Sequence, residues 1–290
     1  MHAFHKMHGL GNFFIFFDEI GQDFSRLKKA GILKSLCDCR RGVGGDGVIF
    51  MMEPRDPKHH CRMQMFNSDG TEAEMCGNAI RGVAHLYKSH NLGHEPILIE
   101  TGGGVREVRF EGARDGICSY RVEMGPASFN LIVTGELLPK KEQKPLQWQD
   151  DLLEPVYVNV GNPHAVLFLQ TPLGDDSMVS LGAWMETNPN HPRRINVEFV
   201  EIINKSEVRV HVWERGCGMT QACGTGATAV AAAGIKLGKL VSPVTVHMPG
   251  GDLFITADSK GTLFMAGPIE HIAVGNLMPS FIRRLYAEYK

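Results

Sequence analysis

A cysteine followed by glycine at the head of an apolar run occurs twice in the chain, in "MCGNAIRGVAHL" at Cys76 and in "ACGTGATAVAAA" at Cys223. After Cys76, the residues Ile80, Val83, Ala84 and Tyr87 recur at helical spacing. After Cys223, "ATAVAAAGIKLG" is apolar on nearly every side through Ala233, the pattern of a helix enclosed all round. A thiol at a helix N-terminus lies beside unpaired backbone N–H groups and the positive end of the helix dipole, which ease the loss of its proton. The same N–H groups bind carboxylates, and the glycine lets a ligand approach the backbone closely. Each segment is therefore expected to present one activated sulfur beside a carboxylate cradle. If two such units face each other, a thiolate can remove a proton from one face of a carbon while the opposite thiol delivers one to the other. That chemistry inverts a centre carrying hydrogen, with helix N-termini and exclusion of water stabilising the carbanionic charge.

The elements that would position these thiols repeat. Cys76 and Cys223 are 147 residues apart, and at the same offset Gly103-Gly104 of "ETGGGV" falls on Gly250-Gly251 of "HMPGGD". At an offset of 150, Gly11-Asn12 falls on Gly161-Asn162, and Asp46 on Asn196. The closing strands end in "MGP" (124 to 126) and "AGP" (266 to 268). Strand-like runs stand at 13–17, 48–52, 61–66 and 117–124, and again at 156–160, 164–169, 195–200, 207–212, 244–248, 252–256 and 262–267. This is an internal duplication. The expected fold is α+β, with two pseudosymmetric domains, each a mostly antiparallel sheet wrapped around a central helix. The boundaries are expected at 1–126 and 127–271, with 272–290 packing back on the first domain. The polar, proline-bearing stretch 137–155 reads as a surface connection. A buried structural cysteine is the ordinary reading of either thiol alone; equivalence within a duplicated unit reverses it.

Composition bounds the partners. The chain has 290 residues, 43% of them hydrophobic, and its 30 basic residues nearly balance 32 acidic ones, so charge gives no reason to expect nucleic acid or an anionic membrane. A small molecule is the expected partner. No apolar run is long enough for a membrane span, and "MHAFHKMHGLGN" has no signal-peptide pattern, so the expected location is cytoplasmic. Seven cysteines in a chain of this size fit a reducing compartment rather than a disulfide framework.

The segments "KMHGLGN", "FNSDGTEAEMCGN", "GNPHAV", "INVEF", "WERGCGMTQACGTGA" and "PGGDL" resemble, in order and over nearly the whole chain, the motifs of the diaminopimelate epimerase family. The resemblance implies interconversion of LL- and meso-2,6-diaminopimelate by a two-base mechanism without a cofactor or metal, in lysine and peptidoglycan precursor synthesis. It assigns Cys76 and Cys223 as the acid/base pair, and the backbone of Gly77, Asn78, Gly224 and Thr225 as the cradle for the reacting carboxylate. Asn12, Asn67, Asn162, Asn196, Glu214 and Arg215 match substrate-contacting positions; His164, with Glu214, matches positions that adjust thiol protonation. Arg215 offers a fork for a carboxylate, and Glu214 can accept from an ammonium. Three departures stand out: Gly47 where many members carry glutamine, Ala79 in place of the usual glycine, and, near Ala273, loss of a tyrosine associated with the family's homodimer contact.

The rival enzymatic reading is another two-thiol racemase, proline racemase-like or accepting glutamate; Arg215 and Asn67 argue for the longer substrate, because a short one leaves them unpaired. A redox pair formed by Cys76 and Cys223 is the non-enzymatic rival. The groups "HHC" (59 to 61) and "CDC" (37 to 39) lack the spacing of a structural zinc site, and "RRGVGGDG" lacks the lysine and hydroxyl residue of a phosphate loop. His2, His5 and His8 read as an exposed N-terminus, Asp46 as the support of a turn, and Cys217 as a bystander.

Overall fold

Two units emerge from the computed structural model, Met1–Val122 with Gly267–Lys290 and Glu123–Ala266; it describes residues 2–289 apart from 91, 92, 132–134, 136, 138–141 and 143. Five helices are described: α1 (Ala30–Cys37), α2 (Gly77–Ser89), α3 (Asp175–Glu186), α4 (Gly224–Lys236) and α5 (Pro279–Glu288).

In the first unit the strands follow one another across the sheet as His2–Gly9, Asn12–Asp18, Gly47–Met52, Cys61–Asn67, Ile97–Thr101, Gly104–Arg114 and Ile117–Pro126. In the second the order is Val156–Asn159, Pro163–Phe168, Asn196–Asn204, Glu207–Glu214, Val244–Met248, Gly251–Ala257 and the first part of Thr262–Leu277, whose residues from Gly267 onward belong to the first unit. Read along either series, the second strand pairs in parallel with the third and the fourth with the fifth, and the other neighbours are antiparallel. The duplication is thus a duplication of topology, in two α+β units with mostly antiparallel sheets.

Each unit has one helix enclosed by its sheet and others outside it. Helix α2 packs on the first four strands of its unit, and α4 on the first three of the second and on Val244–Met248 and Gly251–Ala257. Every residue of α4 from Gly226 to Gly234 is buried, and its alanines let strands approach from several sides. In α2 the close approach is made at Gly82, where a Cβ would collide with the Phe16 ring. On the outer faces, Ile15, Phe17, Val48 and Phe50 form a core with Ile32, Leu33 and Leu36 of α1 and Ile282 and Leu285 of α5. Ala165, Leu167, Val197 and Phe199 do the same with Met178, Leu181 and Met185 of α3. Because strand side chains alternate, the residues between these, Phe14, Gly47 and Ile49 in one unit and His164, Asn196 and Glu198 in the other, turn toward the enclosed helix.

The structure departs from several sequence expectations. Helices α1, α3 and α5 were not anticipated, although α1 buries Ile32, Leu33, Leu36 and Cys37 along one side, α3 opens with Asp175 and Asp176 in its first turn, and α5 has proline at its start. The N-terminal histidines are not a loose end, since His2–Gly9 pairs on one side with Asn12–Asp18 and on the other with the end of Thr262–Leu277. In the supposed surface connection, Leu137 and Leu146 are buried against the α3 core because apolar side chains in a polar stretch still gain by leaving water; 138–141 and 143 lie outside the described residues. Finally, Phe14 pairs with Gly47 and His164 with Asn196, so Asn196 corresponds to Gly47 rather than to Asp46. A slip of one residue reverses the face of a strand, which is why matching identities alone misaligned this piece.

Candidate active site

Cys76 and Cys223 occupy the same local position. Each is the extended residue immediately before its helix, with φ −138° and ψ 123° at Cys76 and φ −129° and ψ 112° at Cys223. The first helical bonds follow at once, from the Ile80 N–H to the Cys76 carbonyl at 3.0 Å and from the Ala227 N–H to the Cys223 carbonyl at 2.9 Å. The glycines Gly77 and Gly224 open the helices, and Asn78 and Thr225 occupy their second positions.

Around Cys76 a chain of polar groups runs through the first unit. The Asp46 carboxylate accepts from the Asn12 amide at 2.8 Å and from the Phe13 N–H at 2.9 Å. Asn12 Oδ1 in turn faces the Asn78 amide at 3.4 Å, and Asn78 Oδ1 accepts from Arg81 at 3.1 Å. Arg81 also donates to the carbonyls of Gly77 at 3.3 Å and Pro268 at 3.1 Å. Its guanidinium is fully buried, and burial pushes its pKa down to about 10, so it remains a cation at neutral pH; a thiolate at Cys76 favours that charge. Asn67, at the end of its strand, donates to the Thr71 hydroxyl at 3.0 Å. Gly47 lies opposite Asn67, and a Cβ there would meet the Phe66 carbonyl oxygen at 2.6 Å, so the glutamine that the resemblance leads one to expect there has no room without a backbone shift.

The second unit builds a different surround. Cys223 Sγ accepts from the Gly226 N–H at 3.3 Å and lies 3.4 Å from the Thr225 hydroxyl. Glu214 accepts from the Thr220 hydroxyl at 2.6 Å. Asn196 donates to the Pro163 carbonyl at 2.8 Å and accepts from the Arg215 N–H at 2.9 Å, tying the start of the His164 strand to the Arg215 turn. That turn is fixed again by Glu186 at the end of α3, which accepts from Trp213 Nε1 at 2.7 Å and the Gly216 N–H at 3.1 Å. The Arg215 guanidinium reaches the Arg193 carbonyl at 3.1 Å. His164 Nδ1 lies 2.6 Å from the Glu198 carboxylate, His164 Nε2 lies 2.8 Å from Asn162 Oδ1, and both His164 and Glu198 are wholly buried.

Electrostatics correct the expectation of an activated sulfur in each half. Burial, then the Glu214 charge, pushes the Cys223 thiol well above its ordinary value; the bonds from Thr225 and Gly226 oppose this without cancelling it. Burial likewise raises Glu214, against the bond from Thr220. A helix terminus contributes on the order of 1 kcal/mol, and complete desolvation of a thiolate costs more.

The expected residues thus fall in two sets: Asn12, Asn67, Cys76, Gly77 and Asn78 in one unit, and Asn162, His164, Asn196, Glu214, Arg215, Cys223, Gly224 and Thr225 in the other. Sequence reasoning missed Arg81, Glu186, Glu198 and Thr220. Signals existed: Arg81 is a charge inside an apolar helical run, Glu198 stands on the Asn196 face of its strand, and Glu186 is an acid at the unfavourable end of a helix. Elsewhere, His59 lies 2.9 Å from Glu100, and His60 Nδ1 accepts from the Leu98 N–H at 2.8 Å, so both serve the local loop. Asp46 holds Asn12 rather than its own turn, and Cys217 is exposed.

Comparison with known proteins follows the same two halves. The family model for diaminopimelate epimerase matches residues 4–130 and 156–272. The diaminopimelate epimerase of Carboxydothermus hydrogenoformans is 40% identical over 278 residues, covering 94% of this chain and 98% of the relative. That of Methanothermobacter thermautotrophicus is 40% identical over 272 residues, covering 90% and 92%. Among solved structures, a probable proline racemase from Agrobacterium radiobacter superposes with a TM-score of 0.69 at 15% identity, over 99% of this chain and 96% of that one, a likeness of fold.

Proposed function

The chain belongs to the diaminopimelate epimerase family, and from that membership we propose that it interconverts LL- and meso-2,6-diaminopimelate with Cys76 and Cys223 as its two acid/base groups. It is an isomerase of the amino-acid epimerase class. The observation that carries the two-thiol reading is the equivalent placement of Cys76 and Cys223 directly before the two enclosed helices of a duplicated fold. In the forward step the Cα–H bond breaks and its proton passes to a thiolate, leaving the electron pair on the substrate. The other thiol then loses its proton to the opposite face of the same carbon, and turnover ends with the two protonation states exchanged. Backbone N–H groups of Gly77, Asn78, Gly224 and Thr225 hold the reacting carboxylate, where the charge of the carbanionic state accumulates, so their attraction is strongest in the transition state.

Asn12, Asn67, Asn162, Asn196, Glu214 and Arg215 serve recognition in this reading, and His164 with Glu214 adjusts thiol protonation. The direct bonds support a division of labour: Asn12 and Asn196 engage both ends of their amides within the protein, whereas the Arg215 fork is carried on a turn braced by Asn196 and Glu186. The reaction would serve lysine and peptidoglycan precursor synthesis, need no pyridoxal cofactor, and proceed in a chain none of whose described helices is long and apolar enough to cross a membrane. The test is incorporation of solvent deuterium at the α-carbon of LL-diaminopimelate by wild type, Cys76→Ser and Cys223→Ser. Wild type is expected to exchange and epimerise, each variant to lose at least ~100-fold in epimerisation, in line with loss of an acid/base group. Full activity in both variants would sink the two-thiol mechanism, and exchange into proline but not diaminopimelate would move the protein to the shorter-substrate racemases.

A further inference from the structure

The duplication makes one contrast plain: on the strand face turned toward the enclosed helix, the first unit places Phe14 and Ile49 where the second places His164 and Glu198. An apolar pair has been replaced by a buried acid and base. Burying such a pair is costly and gains nothing over an apolar pair in stability alone, so its presence calls for another explanation. Glu198 spends one oxygen on His164 at 2.6 Å, and its Oε2 is buried without a hydrogen-bond partner among the described residues. Its Oε1 also lies where it limits the neighbouring helix, since a Cβ at Gly226 would come within 3.0 Å of it. Gly226 is the residue whose N–H meets Cys223 Sγ.

We propose that Glu198 is a positioning residue which, by keeping both nitrogens of His164 protonated, fixes the Asn162 amide with its oxygen toward His164 and its NH2 presented as a hydrogen-bond donor. The geometry follows from donors and acceptors. Both ring nitrogens of His164 face oxygens, Glu198 Oε1 and Asn162 Oδ1, and two acceptors require two N–H groups. An imidazolium is sustainable in a wholly buried site only beside an anion, and Glu198 supplies it. With the ring doubly protonated, Asn162 accepts through Oδ1 and is left with only donors to offer, which suits a carboxylate of the substrate. Without the anion the ring would hold one proton; kept on Nδ1 toward an amide oxygen at position 198, it leaves Nε2 as an acceptor, and the Asn162 amide would turn over to present its oxygen instead. The Glu198 charge also disfavours ionisation of Cys223 and Glu214 beside it. This inference deepens the proposed epimerase reading and rests on it for the identity of the ligand.

The experiment combines side-chain 15N NMR of the histidines at pH 7.5 with steady-state kinetics on LL-diaminopimelate, for the full-length wild type, Glu198→Gln and Glu198→Asp. The His164 signal is assigned by its loss in His164→Gln. In wild type His164 should show the doubly protonated pattern; in Glu198→Gln it should show a neutral ring, with KM raised at least ten-fold. Glu198→Asp should keep the protonated pattern and recover most of the KM. A neutral His164 in the wild type overturns the proposal, as does a Glu198→Gln variant in which either the ring signal or KM is unchanged. The NMR needs no turnover, so failure to epimerise diaminopimelate would count against the proposed function while leaving the Glu198–His164 assignment to be decided by the spectra.

Discussion

Arg81 shows how much a single buried residue contributes to one half of the site. Its guanidinium bonds Asn78 Oδ1, the Gly77 carbonyl and the Pro268 carbonyl, so one side chain fixes the first turn of α2 and the chain segment that returns to the first unit. At the duplication offset its counterpart is Thr228, which merely bonds back to the Gly224 carbonyl at 2.8 Å. Replacing Arg81 by methionine keeps length but leaves two buried acceptors and one part-buried acceptor without that donor, a loss on the order of 3 kcal/mol. We expect a correspondingly lower Tm and at least a ten-fold loss in kcat/KM, with Arg81→Lys intermediate because an ammonium cannot span the same acceptors. A methionine variant as stable and active as wild type would show that the acceptors are satisfied without the guanidinium.

At the scale of the element, the two enclosed helices look alike in sequence and are packed differently. Ala79 and Gly226 are equivalent positions of α2 and α4, and at Gly226 a carboxylate oxygen of Glu198 stands 3.0 Å from where a Cβ would sit. Gly226→Ala is therefore expected to destabilise by about 1–3 kcal/mol through overpacking against Glu198 and Cys223, despite the better helix propensity of alanine. Ala79→Gly should cost about 1 kcal/mol through propensity alone. Chemical denaturation of the two variants measures both, and a stabilised Gly226→Ala would refute the crowding. Glu186 makes the same point for a turn. It is an acid at the end of α3 that the helix dipole disfavours, kept there to hold the N–H groups of Trp213 and Gly216; Glu186→Leu should raise KM by loosening the Arg215 turn while leaving the secondary-structure spectrum unchanged.

For the whole molecule, buried thiols couple stability to alkaline pH. Burial pushes Cys61 from 9.0 up to about 12, and Cys37 likewise to about 12. In the unfolded chain both ionise near 9.0, so their contribution to stability is fully present below that pH and is lost as pH rises toward 12. Each ionising group adds a slope of at most about 1.4 kcal/mol per pH unit. Tm should fall steeply from pH 9 to 11, and Cys61→Ala, though less stable at pH 8, should show a shallower decline. Parallel slopes for variant and wild type would mean that Cys61 ionises equally in both states.

Much of this organisation was legible in the residues themselves. The duplication, the strands, the enclosed helices and the two Cys-Gly starts are local or periodic patterns, and periodicity is written in sequence because helices and strands repeat every few residues. Helices α1, α3 and α5 were not anticipated: none opens with a side-chain cap, and their signals are only the apolar side of α1, the acidic first turn of α3 and the proline at the start of α5. Tertiary structure alone decided the rest. It set the strand register, which placed Gly47 opposite Asn67 and made it the counterpart of Asn196; it surrounded Cys223 with enough protein that desolvation outweighs the helix terminus; and it brought Glu198 to His164 and Arg81 to Asn78 and Pro268. Residue types state what a group can donate, accept or ionise, but burial and partner distance decide which of those it does, and both arise only when distant strands meet.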